Sequence, residues 1–195
     1  MFFPDLQVLQ EAHQRIAPHI HRTPVLTSKS IDEISKTEIF FKCENFQKIG
    51  AFKTRGAVNA IFKLPAQISS VATHSSGNHA QAVAYAAKIR GMKAMIVMPE
   101  TAPKVKVKAV KGYGAEVIFC APNQQAREST LANIVEKTGA TFVHPYDNED
   151  VICGQSTAAQ ELIADTPNLD FILAPVGGGG LLAGTALAAH HLSKN

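Results

Sequence analysis

An α/β fold with an open parallel sheet is predicted by two features of the chain. Apolar runs of strand length alternate with longer amphipathic segments from about residue 38 onward, the pattern of βαβ units. The apolar run 171–176 then leads into Gly177, Gly178, Gly179 and Gly180 and on into an apolar helical pattern, so a strand, a glycine turn and a helix follow one another. With 195 residues, 46% hydrophobic and 18% charged, the chain is long enough to bury a core and too apolar for disorder.

Two helices, over 6–16 and 30–36, precede the alternating region, and its first strand is expected at 39–42. A helix beginning near Lys53 turns Ala57, Ala60, Ile61 and Leu64 inward. A strand at 71–74 feeds the alanine-rich helix 78–90, which places Ala82, Tyr85, Ala86 and Ile89 on one face. That helix stops at Gly91, a residue suited to the left-handed position after a last turn. Further strands follow at 94–98, 117–120 and 141–143, with a helix over 122–137 that stops at Gly139. The run 171–176 reads as a central parallel strand, and 181–192 as the helix after it. There is no internal repeat, low-complexity tract or long linker, so crossings between lobes are short.

Charge and composition exclude several classes. A net charge of +3 is too small to indicate nucleic-acid binding. Lys104, Lys106, Lys108 and Lys111 do cluster, but no aromatic residue interleaves with them before Tyr113; they read as a solvated helix face, with attraction of an anionic ligand as the alternative. The amino terminus lacks a basic segment followed by an apolar one, and no run approaches the ~20 apolar residues that span a bilayer. A cytoplasmic protein without membrane or nucleic-acid partners is the expectation. Cys43, Cys120 and Cys153 are odd in number and widely spaced, which indicates reduced thiols rather than disulfides or a metal site.

Three motifs carry chemistry. The glycine turn after 171–176 exposes backbone N–H groups at a helix N-terminus, where a phosphate can approach closely; a tight turn without a ligand is the alternative. The spacing Gly178-x-Gly180-x-x-Ala183 permits a dinucleotide fingerprint, but no acidic residue follows Asp170 to hold a ribose. A P-loop is excluded because Phe52, not glycine, precedes Lys53-Thr54. The second motif, Ser75-Ser76-Gly77-Asn78-His79, joins a predicted strand to a helix and gathers hydroxyl, amide and N–H groups able to hold a carboxylate. A simple N-cap would need only one of these side chains. The third is Lys53 within Gly50-Ala51-Phe52-Lys53-Thr54-Arg55-Gly56. If buried, its amine has a lowered pKa and suits a Schiff base; if exposed, it is an ordinary helix lysine.

Together, Phe41-Lys42-Cys43-Glu44-Asn45-Phe46-Gln47-Lys48-Ile49 with the Lys53 motif, Thr73-His74 before the serine turn, His144-Pro145, Gly154-Gln155 and Pro175-Val176 before the glycines resemble the fold type II pyridoxal-phosphate enzymes. Within them the chain is most similar to serine racemase and the threonine dehydratases. The resemblance implies a two-lobed, tryptophan synthase β-like fold, with 68–145 as a small lobe and 1–67 plus 146–195 as part of a large one. It implies pyridoxal 5'-phosphate as cofactor, carried by Lys53, which also serves as the base at Cα, with Phe52 beside the ring and Asn78 on the ring hydroxyl. Gly177, Gly178, Gly179, Gly180 and Leu181 would bind the phosphate. Ser75, Ser76, Asn78 and His79 would hold the substrate carboxylate, and Ser76 takes the acid/base position on the opposite face in racemisation. The implied substrates are L-serine and L-threonine, deaminated to a 2-oxo acid and ammonia, and the implied assembly is a homo-oligomer.

Two residues depart from the family pattern, Ala80 and Ser156, each where glycine is usual. Family members also continue well beyond the length of this chain. The expectation is therefore that the C-terminal part of the large lobe is missing, that the 171–176 strand has an open apolar edge, and that the chain is a fragment or is completed by another chain. Two further readings stand beside the dehydratase: a threonine or cysteine synthase of the same fold, and a non-catalytic remnant that binds the cofactor or a partner chain.

Overall fold

The computed structural model describes residues 3–166 and 168–193; Met1, Phe2, Pro167, Lys194 and Asn195, which the large-lobe ranges include, lie outside them. Asp5 caps the first helix, α1 (Leu6–Ile16), its carboxylate accepting the Val8 N–H at 3.0 Å. Leu9, Ala12 and Ile16 recur at helical spacing and are fully buried. The next elements are β1 (Val25–Leu26), α2 (Lys29–Ser35) and β2 (Phe41–Lys42). The strand expected at 39–42 shortens to two residues and pairs antiparallel with β1, a partner the sequence pattern had not signalled.

Beyond α3 (Lys53–Lys63) lies the central sheet, made of β3 (Ser70–His74), β4 (Lys93–Pro99), β5 (Glu116–Cys120) and β6 (Thr141–Phe142). Its order is β5-β4-β3-β6 and every pairing is parallel. The connecting helices are α4 (Asn78–Arg90), α5 (Lys104–Gly112) and α6 (Gln124–Thr138). Gly91 at φ 72° and Gly139 at φ 67° end α4 and α6 in the left-handed conformation, as their positions predict. Helix α4 does not have the single apolar face its sequence suggests. It lies between the sheet and α3, so Ala80, Ala82, Val83, Ala84, Ala86 and Ala87 are all buried while Ile89 reaches solvent. Alanine on every side permits this close packing.

Helix α7 (Glu149–Asp165) is the longest in the chain and has no apolar stripe to announce it. Its buried residues include Gly154, Gln155, Ser156, Thr157, Gln160 and Glu161. It packs against α3 and against α8 (Gly180–Leu192), and backbone proximity rather than side-chain bulk sets both contacts. A Cβ on Gly154 would stand 2.6 Å from the Arg55 carbonyl oxygen, and one on Gly184 2.6 Å from the Ser156 nitrogen. Gly154→Ala is therefore expected to lower the stability by about 1–3 kcal/mol, read as a reduced urea midpoint. An unchanged midpoint would mean that the two helices separate without cost.

Charge also crosses this interface. The Arg55 guanidinium is fully buried, with Nε and Nη2 each 2.8 Å from Glu44 carboxylate oxygens, Nη1 2.8 Å from Glu161 Oε1 and Nη2 2.9 Å from Glu161 Oε2. Lys42 Nζ adds a contact to Glu161 Oε2 at 2.8 Å. Burial works against the charge on Arg55, but the hydrogen bonds to Glu44 and Glu161 outweigh it and raise its pKa. Burial likewise opposes ionisation of Glu161, and contacts with His13, Arg55 and Lys42 hold its carboxyl well below the usual range.

The run 171–176 is not a strand, contrary to the sequence expectation. It has no ladder partner among the described residues, and Phe171 (83%), Leu173 (90%) and Val176 (64%) are exposed. Strand propensity alone cannot form a strand, because the backbone hydrogen bonds require a neighbour. Cys120 and Cys153 are buried and Cys43 half-buried, all three as free thiols. No helix among the described residues is long and apolar enough to cross a membrane.

Candidate active site

Residues 143–146, which follow β6, connect the three sequence motifs. The Val143 carbonyl accepts the Thr73 hydroxyl at 2.8 Å and His79 Nε2–H at 3.1 Å. The Pro145 carbonyl accepts a hydrogen bond from Lys53 Nζ at 2.7 Å. Tyr146 packs on the glycine loop, where a Cβ on Gly178 would fall 2.1 Å from Tyr146 Cδ1 and one on Gly180 would fall 2.9 Å from the Tyr146 carbonyl oxygen. One short segment thus touches the lysine, the serine-turn helix and the tetraglycine.

Lys53 opens α3, with Phe52 as the residue before it. Its side chain is half-buried, Nζ lies 5.3 Å from the Phe52 ring centroid, and burial lowers its pKa. No carboxylate of the described residues pairs with it. The amine is therefore easier to deprotonate than a surface lysine, which a nucleophile or a base requires.

The serine turn leaves the carboxyl end of β3. The Ser75 N–H donates to the Val97 carbonyl at 3.1 Å, and its hydroxyl accepts the Gly77 N–H at 3.2 Å. Ser76 is half-buried and Asn78 exposed, and no side chain caps α4. The His79 ring turns inward, with 3% exposure, so what this residue offers the turn is its backbone N–H. Nε2–H donates to Val143, burial keeps the ring neutral, and Nδ1 is then a buried acceptor without a partner. Burial, with smaller contributions from Lys53, His144 and His74, lowers its pKa to about 3.

This shift sets a pH dependence. Between the ordinary histidine value near 6.5 and about 3 the unfolded chain binds a proton that the folded chain excludes, so stability falls as pH drops through that window. The slope from this group approaches about 1.4 kcal/mol per pH unit. His79→Gln is expected to flatten the acid limb of a urea-midpoint profile; a limb of unchanged slope would contradict the assignment.

At the glycine loop, Gly179 precedes α8 at φ 90°, in the left-handed region, and no side chain caps that helix. Gly178 and Gly180 have no room for a Cβ because of Tyr146, whereas Gly177 has open space and Leu181 is half-buried in the first turn. His144, whose Nδ1 accepts the N–H groups of Tyr146 at 3.3 Å and Asp147 at 2.8 Å, fixes the shape of the connecting segment. Its pKa is lowered by burial, partly offset by Asp147 and reinforced by Lys53. The two departures from glycine fit without crowding the turn. Ala80 lies in the apolar core, and Ser156 donates to the Cys153 carbonyl at 2.6 Å and accepts from Gln160.

Sequence reasoning gave no role to Val143, His144, Pro145 or Tyr146 individually. Two of the four act through backbone carbonyls, and a carbonyl leaves no trace in residue identity. The one available signal was the His144-Pro145 pair after a strand.

An amine of lowered pKa is thus joined through one segment to two helix N-termini without side-chain caps in an open α/β fold. Residues 16–195 match the family described as pyridoxal-phosphate dependent enzyme, and the chain belongs to that family. It is 51% identical over 192 residues to serine racemase of Dictyostelium discoideum, covering 97% of this chain and 59% of that protein. The crystal structure of serine racemase from that organism superposes with a TM-score of 0.93, covering 97% of this chain and 62% of the other. Identity to the β-hydroxyaspartate dehydratase of Paracoccus denitrificans is 48% over 195 residues, covering 99% of this chain and 62% of that protein. The crystal structure of the threonine deaminase from T.th. superposes with a TM-score of 0.90 at 45% identity, covering 97% of this chain and 62% of that one. The chain thus spans about three fifths of the length of the relatives it matches.

The residues present fit the family's cofactor. A phosphate requires the N–H groups and close approach that the Gly177, Gly178, Gly179 and Gly180 turn gives, and an aldehyde requires an amine not tied up in an ion pair, which Lys53 has among the described residues.

Proposed function

We propose that this chain carries the lysine and carboxylate-holding parts of a pyridoxal-phosphate enzyme that deaminates a small hydroxyamino acid such as L-serine or L-threonine to a 2-oxo acid and ammonia. The observation that carries this reading is the half-buried Lys53 amine, lowered in pKa and held at the Pro145 carbonyl in the segment that also contacts His79 and the tetraglycine. When bound, the cofactor supplies an electron sink conjugated to the substrate Cα. Lys53 would carry it and, once released by the substrate amine, would take the Cα proton, a transfer for which an amine shifted toward neutrality is suited. Phe52 would lie beside its ring and Asn78 would hold the ring hydroxyl. The N–H groups of Gly177, Gly178, Gly179, Gly180 and Leu181 would hold the phosphate. The hydroxyls of Ser75 and Ser76, the Asn78 amide and the His79 N–H hold the substrate carboxylate, with the α4 dipole reinforcing them.

Racemisation is the second outcome at the same site. Ser76 favours it, being half-buried with its hydroxyl in no hydrogen bond among the described residues. The relatives include both a serine racemase and a β-hydroxyaspartate dehydratase, so family alone does not choose. Incubation with L-serine, followed by assay of 2-oxo acid and chiral chromatography of the remaining serine, distinguishes them. The reading predicts oxo-acid release; D-serine alone would assign the racemase outcome, and neither product would leave the remnant reading. The same proposal places 68–145 in a small lobe, the chain in the cytoplasm, and its assembly as a homo-oligomer or with a completing chain.

A further inference from the structure

Pro145 carries no N–H, so Tyr146 and Asp147 supply the next two backbone donors of the segment after β6. Both converge on one atom, His144 Nδ1, at 3.3 and 2.8 Å. A ring nitrogen accepts only when it carries no proton, so this turn requires a neutral imidazole protonated on Nε2. The ring is held from two sides, in T-shaped contacts with Phe142 at 5.5 Å and Tyr146 at 4.6 Å between centroids. Inside the turn that His144 closes lie the Pro145 carbonyl, which receives Lys53 Nζ, and the Tyr146 ring, which lies against Gly178. One imidazole therefore stands behind two parts of the site and belongs to neither.

Lys53 faces this ring from α3, His74 from the end of β3 and His79 from α4, and Asp147 follows in the turn itself. Burial is the largest influence and disfavours a charge on the ring; Asp147 favours one and Lys53 opposes it. We propose that His144 is a positioning residue whose unprotonated Nδ1 sets both the seat of the Lys53 amine and the packing of the glycine loop, so that protonation of this one ring disengages the two together; this rests on the Lys53 reading of the site. A proton on Nδ1 turns the acceptor into a donor facing two other donors, and the turn opens. The Pro145 carbonyl then leaves Lys53, and a displacement of about 1 Å can cost about 10²-fold where placement decides the rate. The competent form is present above the folded pKa of His144 and is lost as pH falls through it. Asparagine at this position offers an oxygen at the same number of bonds from Cα, with no titration.

The test compares the unmodified chain, His144→Asn and His144→Leu between pH 5 and pH 8. Nitrogen-15 NMR follows the ring and the Tyr146 and Asp147 amides, and the visible band of pyridoxal phosphate follows its rate of attachment at Lys53. In the unmodified chain Nδ1 is expected to resonate as an unprotonated nitrogen at pH 7.5. Both amides and the attachment rate are expected to change at the midpoint where the ring protonates. His144→Leu, which has no acceptor, should attach the cofactor about 10- to 100-fold more slowly at pH 7.5. His144→Asn should stay within about 3-fold of the unmodified chain and lose the step linked to the ring. A proton on Nδ1 at pH 7.5, amides that do not follow the ring, or a pH step that persists in His144→Asn overturns the proposal, as does His144→Asn attaching as slowly as His144→Leu. Failure of the Lys53 reading appears separately, as cofactor that attaches at Lys53 in none of the three chains. The ring and amide resonances then still decide whether His144 closes the turn.

Discussion

Replacing Lys53 with alanine is expected to lower 2-oxo acid release from L-serine or L-threonine by at least about 10³-fold, since proton transfer alone contributes roughly 10²–10⁴-fold and attachment of the cofactor is lost as well. Lys53→Arg should fail almost as badly. A guanidinium remains charged at any pH a protein tolerates, so it can neither attach the aldehyde nor accept a proton. Stability should hardly change in Lys53→Ala, because the amine makes one hydrogen bond, to Pro145, and rests near the Phe52 ring. A folded variant without turnover is thus the predicted combination, checked by hydrazone assay of the oxo acid beside a urea titration. Retention of more than a tenth of the activity would remove Lys53 from the mechanism.

The second large effect is on stability. Glu161→Ala is expected to cost about 3–5 kcal/mol, because it leaves the buried Arg55 with Glu44 alone and Lys42 with only Asp165 at 3.7 Å. The replaced carboxyl has a folded pKa below its unfolded value, so its contribution is fully present above the usual carboxylate range and is lost as pH falls through the folded value. The variant should therefore lose less stability between pH 5 and pH 3 than the unmodified chain does. If Glu161→Ala unfolds at the same urea concentration as the unmodified chain, the network contributes nothing net. The network lies two residues from Lys53 and anchors α3 to α7, which links this stability to the site.

Much of this was legible in the residues, and what was not has physical reasons. Helices over 6–16 and 78–90 carry end signals in Asp5, Gly91 and apolar spacing, and they form over those same residues. Strands 71–74 and 117–120 fall one residue short of β3 and β5 at the start, and 94–98 falls one residue short of β4 at each end. Helix α7 escaped notice because it buries Gln155, Ser156, Thr157, Gln160 and Glu161, so its hydrophobic periodicity is weak. Asn148, which accepts the Val151 N–H at 2.9 Å, followed by Glu149 and Asp150, was the start signal available. The 171–176 run shows the opposite error: apolar character read as a strand, where no neighbouring strand completes a ladder. At the site, the position of Lys53 and the two turns was read from their order, but the Val143 and Pro145 carbonyls that join them were invisible. Lys106 looked like its three neighbours until the fold half-buried it beside Gly77.

The most direct test of the account is to find where the cofactor attaches. The purified chain is incubated with pyridoxal phosphate, reduced with borohydride, digested and sequenced by mass spectrometry. The phosphopyridoxyl group is expected on Lys53, with no comparable labelling of the exposed Lys104, Lys108 and Lys111. Labelling spread over the surface lysines, with Lys53 unmodified in folded protein, would contradict it.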